Sequence, residues 1–172
     1  AHLAITECPE VVLLSPTGTG KTLAFVLPLL ELIDPKQEDV QALILAPSRE
    51  LALQIEQVLR DLGTGLKVNA VYGGRPMTKD KAEIKHRPHI LIGTPGRVAD
   101  HLRRQTFSAR SVKYLVLDEF DKSLEVGFED EMREIIEALP ELKKKVLTSA
   151  TQGVEIPEFV GLENAITINH LT

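Results

Sequence analysis

The chain has 172 residues, 43% of them hydrophobic and 26% charged, which is enough for one domain, residues 1–172, with a sizeable core. A net charge of −5 excludes a strongly basic nucleic-acid glue but leaves room for a local basic track. One cysteine, Cys8, excludes an internal disulfide, and no apolar run approaches membrane-spanning length; the expectation is a compact cytoplasmic (intracellular) domain with no membrane partner.

The first expected strand, residues 11–14, runs into Ser15-Pro16-Thr17-Gly18-Thr19-Gly20-Lys21-Thr22. The apolar stretch Leu23-Ala24-Phe25-Val26-Leu27 follows. A strand, a glycine-containing turn and then Gly-Lys-Thr opening a helix is the setting of a phosphate-binding loop. Gly18 and Gly20 let backbone N–H groups close on an anion, and the helix start adds its positive end. Lys21 then reaches the outer phosphates and the Thr22 hydroxyl holds Mg²⁺. The general pattern has glycine where this chain has Ser15. An ordinary strand–turn–helix junction is the competing reading.

Further strands are expected at residues 42–45, 67–71, 90–92, 114–117, 145–147 and 165–168. Several are apolar throughout, as in parallel strands covered on both faces. Leu51, Ile55, Val58, Leu59 and Leu62 form one helical stripe; Phe128, Met132, Ile135, Ile136 and Leu139 form another. Gly63 and Pro140 stand where helices stop, and Pro28 predicts a kink or an early end in the first long helix. The alternation predicts an α/β fold: a mainly parallel sheet with helices on both faces. In such sheets ligands sit beyond the carboxyl ends of the strands.

Those ends carry the polar residues. Leu115-Val116-Leu117 runs into Asp118-Glu119-Phe120-Asp121. An acid ending an apolar strand is costly to bury unless something pairs with it, and a metal beside the phosphate loop is such a partner. Asp118 is the expected metal ligand and Glu119 the residue that orients the attacking water; a plain acidic helix start is the alternative. Thr148, Ser149 and Thr151 either bond the acidic cluster or cap the next segment, and local reasoning favours capping. Pro47-Ser48-Arg49, Gly73-Gly74-Arg75 and Thr94-Pro95-Gly96-Arg97 follow three other strands. Singly each reads as a capped turn with a solvated arginine. Together they can grip successive phosphates of a nucleic-acid backbone without reading bases. Lys79, Lys81, Lys85, His86 and Arg87, like Lys143-Lys144-Lys145, read as solvated faces. The histidines lack metal-ligand spacing, and Cys8 has no activating neighbour.

Taken in order, these segments resemble the first RecA-like domain of the DEAD-box RNA helicases, over nearly the whole chain. Residues 15–22 resemble that family's phosphate loop, which has alanine where Ser15 stands. Pro47-Ser48-Arg49-Glu50-Leu51-Ala52 resembles its Pro-Thr-Arg-Glu-Leu-Ala motif, with serine for threonine. Gly73-Gly74 and Thr94-Pro95-Gly96-Arg97 match two RNA-backbone motifs. Ser149-Ala150-Thr151 matches the motif that links ATP state to strand separation, partly through Asp121. Phe120 departs from the family's alanine.

The resemblance implies a RecA-like P-loop NTPase fold, with ATP and Mg²⁺ as cofactors. Ser15, Thr17, Gly18, Thr19, Gly20, Lys21 and Thr22 would hold ATP, and Thr22 with Asp118 the metal. Glu119, Asp118 and Lys21 would be catalytic. Pro47, Ser48, Arg49, Gly73, Gly74, Thr94, Gly96 and Arg97 would touch RNA, and Asp121, Ser149 and Thr151 would couple the two. It also implies a second RecA-like domain in the full-length protein and an RNA-dependent ATPase that remodels RNA duplexes or RNA–protein complexes. A clamp that binds RNA under ATP and hydrolyses little is the alternative. The adenine-reading segment of the family is not visible in this sequence, so loosened base selectivity is expected.

Overall fold

The computed structural model describes residues 2–16, 19–153 and 155–171. In chain order its elements are α1 (His2–Glu7), β1 (Glu10–Leu14), α2 (Thr19–Leu32), β2 (Ala42–Leu45), α3 (Arg49–Asp61), β3 (Val68–Val71) and α4 (Met77–Ile84). Then come β4 (Ile90–Gly93), α5 (Pro95–Arg103), β5 (Tyr114–Leu117), α6 (Phe120–Glu125), α7 (Glu129–Glu137), β6 (Lys144–Ser149) and β7 (Ile166–Asn169). Short 3-10 turns lie at Ala109–Ser111 and Glu158–Val160.

The seven strands form one sheet in the order β3-β4-β2-β5-β6-β1-β7, and every pairing is parallel. The apolar runs explain this. Val11 and Val12, Leu43 and Ile44, Leu115 and Val116, Val146 and Leu147 point alternately to two buried layers. One layer takes Ile5 of α1, Phe25 and Leu29 of α2, and Ile55 and Leu59 of α3. The other takes Ile84 of α4, Val98 of α5, Phe120 of α6, and Met132 and Ile135 of α7. Strands apolar on both faces need cover on both, and only helical crossovers between parallel strands supply it.

Several local expectations change. α2 continues through Pro28 to Leu32 and does not end early. α3 buries Ala52, Ile55 and Leu59, while Leu62 is exposed and caps the helix, with Gly63 following at φ +60°. β6 runs two residues past Leu147, so Thr148 and Ser149 lie within the strand. The lysine triplet is not a uniform solvated face. Lys144 is buried and donates to the Cys8 carbonyl at the end of α1, and burial pulls its pKa down. Lys145 donates to the Val160 carbonyl at 2.7 Å. β6 starts at Lys144, and its alternation sets the directions of Lys144 and Lys145; a run of like charges carries no such information.

Gly93 ends β4 where β3 and α5 meet it. A Cβ there would lie 2.5 Å from Val98 Cγ2 and 2.8 Å from the Val71 carbonyl oxygen. Because one obstacle is backbone, Gly93→Ala is expected to destabilise the fold by about 1–3 kcal/mol, read as a lowered midpoint in urea. An unchanged midpoint would show that β3 and β4 can separate freely.

Candidate functional site

All seven carboxyl ends share one edge of the sheet. Its β5-β6-β1 portion carries the phosphate-loop segment, the acidic segment and the hydroxyls; its β3-β4-β2 portion carries the arginines.

Ser15 leaves β1 with its N–H donating to the Ser149 carbonyl at 2.9 Å, which ties the loop to β6. Thr17 and Gly18 lie outside the described residues. α2 starts at Thr19, so Gly20, Lys21 and Thr22 lie in its first turn, where N–H groups lack intrahelical acceptors. Lys21 and Thr22 are both buried. Lys21 Nζ lies 3.8 Å from Asp118 Oδ1 and 3.6 Å from Glu119 Oε1, and hydrogen-bonds nothing among the described residues.

Asp118 follows β5 and is 1% exposed. Its Oδ1 accepts from the Thr148 hydroxyl and, at 3.1 Å, from the Glu119 N–H; its Oδ2 has no partner among the described residues. Burial pushes the Asp118 carboxyl above the ordinary aspartate range, against the pull of Lys21 and the Thr148 hydrogen bond. Glu119 is left-handed at φ 49°, a strained conformation for a residue with a side chain. The bonds from its N–H to Asp118 and, at 2.9 Å, to Thr148 Oγ1 hold it there. Lys122 Nζ stands 3.6 Å from Glu119 on the solvent side.

Two buried charges of opposite sign thus each keep an unused valence. An ammonium with no acceptor fits a polyphosphate, and a carboxylate oxygen with no donor fits a hard divalent cation. No cluster of three or more His, Cys, Asp or Glu suited to a metal occurs among the described residues.

An expectation follows for Asp118→Asn. A carboxyl whose folded pKa is raised costs nothing below its unfolded value near pH 4, and its cost grows as pH rises towards the folded value. At pH 7.5, above the unfolded value, that cost is present. The variant without ligand should therefore melt at or above the parent, since Glu119 remains beside Lys21. MgATP at about 100 times its Kd should stabilise the parent by about 2.7 kcal/mol and the variant far less. A lower ligand-free melting temperature together with an intact MgATP shift would overturn the assignment.

Thr148 does not cap a following segment, as local reasoning favoured; it bonds Asp118. The Thr151 hydroxyl donates to Asp121 Oδ2 at 2.8 Å. Ser149 does close a local turn, its Oγ accepting from the Thr151 N–H at 3.1 Å. The parallel register sets β6 between β1 and β5, and this juxtaposes the hydroxyls with the acids. Phe120 turns into the core beneath the acidic turn, beside a cavity of about 200 Å³ lined by Val12, Leu147, Ser149 and Thr151. It leaves Asp118, Glu119 and Asp121 in place.

On the other portion, Ser48 caps α3, its Oγ accepting from the Leu51 N–H at 3.2 Å. Gly74 turns at φ +87°, with Gly73 exposed beside it. Thr94 precedes Pro95 and Gly96 at the start of α5. Of the three arginines only Arg49 is exposed, 5.1 Å over the Tyr72 ring. Arg75 lies over the same ring at 5.7 Å and bonds Glu83. Burial draws its pKa down, but the Glu83 hydrogen bond and charge outweigh this and raise it. Arg97 donates from Nε to Asp80 Oδ2 at 2.7 Å and reaches the Arg75 carbonyl. Sequence reading missed Asp80, Tyr72 and His101 here. The signal available was the four-residue spacing of Arg97 and His101 on one helix face.

A cavity of about 740 Å³ opens at the opposite, amino-terminal edge, lined by Ile84, Lys85, Arg87, Phe107 and Arg110. None of the expected site residues borders it. No described helix is long and apolar enough to cross a membrane.

A family model described as DEAD/DEAH box helicase matches residues 2–159. The chain is 41% identical over 154 residues to the ATP-dependent RNA helicase CshA of Limosilactobacillus reuteri, covering 88% of this chain and 31% of that protein. It is 45% identical over 137 residues to the CshA of Listeria monocytogenes, covering 78% of this chain and 26% of that one. The chain thus spans under a third of these relatives. The crystal structure of a DEAD box protein from Methanococcus jannaschii superposes with a TM-score of 0.84 at 33% identity, over 97% of this chain and 47% of that one. The parallel sheet is therefore the RecA-like fold of these proteins, and the chain belongs to the DEAD/DEAH box helicase family.

Proposed function

We propose that this chain is the MgATP-binding domain of an RNA-dependent ATPase that separates short duplexes or remodels RNA–protein complexes. A second RecA-like domain of the same protein completes it. One observation carries the reading: Lys21 Nζ, in the first turn of α2, lies 3.8 Å from Asp118 Oδ1 beyond the end of β5, and Lys21 Nζ and Asp118 Oδ2 are both buried without a hydrogen-bond partner among the described residues.

The first turn of α2 and Lys21 hold the phosphates; Thr22 and Asp118 would hold Mg²⁺. The ion, when bound, withdraws charge from the phosphate oxygens. Glu119, fixed by its strained backbone and its bonds to Asp118 and Thr148, orients the attacking water. Thr151 on Asp121, with Ser149, carries the state of the acidic turn to the end of β6. Pro47, Ser48, Arg49, Gly73, Gly74, Thr94, Gly96 and Arg97 form a sequence-indifferent grip on RNA phosphates.

The test is steady-state ATP hydrolysis by the full-length protein with and without single-stranded RNA. Strong stimulation is expected. Tight ATP-dependent RNA binding without turnover would make the protein a clamp, and the absence of both would refute the reading.

A further inference from the structure

The cavity of about 740 Å³ opens beside the amino ends of β2, β4 and β5, away from Lys21 and Arg97 at the carboxyl edge. Its volume is in the range of specific ligand sites. Val40 and Ile84 are buried at its floor, and Phe107 is half-buried beside them. Lys85, Arg87 and Arg110 stand exposed around it, against one acid, Asp39. That balance runs opposite to the net charge of −5 on the chain.

Lys85, at the end of α4, answers the dipole of that helix. The two arginines have no such role. Arg60, Arg103, Arg104 and Arg133 are exposed too, and each has a carboxylate oxygen at 3.5 Å or less. Arg87 and Arg110 have none within 4 Å among the described residues. The backbone at the cavity is strained as well. Arg87 at φ 53° and Gln105 at φ 55° are left-handed, a region that favours glycine. Among the described residues the other non-glycine residue in that region is Glu119, at the acidic turn. Strain of this kind gathers at sites that hold a ligand.

The walls decide the occupant. α4, α5 and α7 all end at the cavity, and helix C-termini present carbonyl oxygens. Those oxygens can accept from the N–H groups of a peptide. The phosphates of a nucleic acid offer acceptors alone and are disfavoured by the negative helix ends. The apolar floor calls for an apolar side chain, and unpaired guanidinium groups call for carboxylates. We propose that this cavity is the docking site for an acidic segment of a partner protein, with an apolar side chain on Val40, Ile84 and Phe107 and flanking carboxylates on Arg87 and Arg110. Arginine recognition of acidic motifs is a recurring mode of peptide binding. The segment would leave the residues proposed for nucleotide and RNA untouched, because those lie at the other ends of the strands.

The experiment follows the anisotropy of a fluorescein-labelled heptapeptide, Glu-Asp-Glu-Leu-Phe-Asp-Glu, titrated with the full-length protein at fixed ionic strength. Saturable binding with a Kd below about 100 μM is expected. Arg87→Glu combined with Arg110→Glu should weaken it roughly tenfold, as two exposed pairs turn repulsive. This double variant should melt near the parent, since both side chains are exposed. Arg60→Glu, a charge reversal on α3, should leave peptide binding unchanged. Replacing Leu and Phe of the peptide by serine should weaken binding roughly tenfold or more. Excess oligouridylate, added with a non-hydrolysable ATP analogue and Mg²⁺, should not displace the peptide. A weaker Kd than expected, binding indifferent to the double reversal or to the serine peptide, an equal loss in Arg60→Glu, or displacement by oligouridylate would each overturn the inference, the last by giving the site to nucleic acid.

Discussion

This chain by itself is expected to hydrolyse ATP at close to the background rate and to ignore single-stranded RNA. The full-length protein should be faster by roughly 10³–10⁵, the value of an inserted arginine in phosphoryl transfer. The reaction needs the phosphates held, the metal held, the water oriented and the developing charge met. In the proposed reading Lys21, Thr22 with Asp118, and Glu119 would answer the first three. For the fourth, the side-chain cations within 4 Å of Asp118 and Glu119 among the described residues are Lys21 and Lys122. Arg49, Arg75 and Arg97 are occupied on the other portion of the edge, over Tyr72, on Glu83 and on Asp80. The measurement is a steady-state assay of residues 1–172 with excess RNA, run beside the full-length protein. Robust RNA-stimulated hydrolysis by the chain alone would place the missing charge within this domain.

Lys21→Ala should abolish most nucleotide affinity. Removing one member of a buried charged contact costs about 2–5 kcal/mol, so ATP and ADP should bind roughly thirtyfold more weakly or worse. The same change leaves Asp118 and Glu119 without their nearest buried cation, so a lower melting temperature should accompany it. Calorimetry on the folded variant decides the matter: unchanged affinity would mean that the phosphates sit elsewhere.

The strands were legible in the sequence because each is an apolar run covered on both faces, which leaves a strong local signature. Residues 15–22 and 118–121 stood out in the sequence because each segment is contiguous. What escaped depends on partners far away in the chain. Thr148 and Asp118 meet only because β6 pairs with β5, and a reading that ended the strand with its last apolar residue placed Thr148 in a cap. Asp80, on α4, looked like one charge among several on a polar helix. Its burial follows from Arg97 and His101 on the next helix. Lys144 is hidden by the six-residue helix α1, which the sequence reading did not include and which is too short to show a periodicity. Phe120 could be recognised as a departure, but only the packing of α6 showed its ring going inward.

The contact of Lys21 with Asp118 and Glu119 has a thermodynamic consequence for what can enter. In the ligand-free domain the ammonium is already the counter-ion of both acids. A lone dication would have to displace it from Asp118. A bare polyphosphate would have to draw it away from two carboxylates and then lie beside them. A dication already paired with a polyphosphate does neither, because each buried charge trades one partner for another of the same sign. On the proposed function, the pocket would in this sense be an ion-exchange seat, selective for the preassembled metal–nucleotide salt over either of its components.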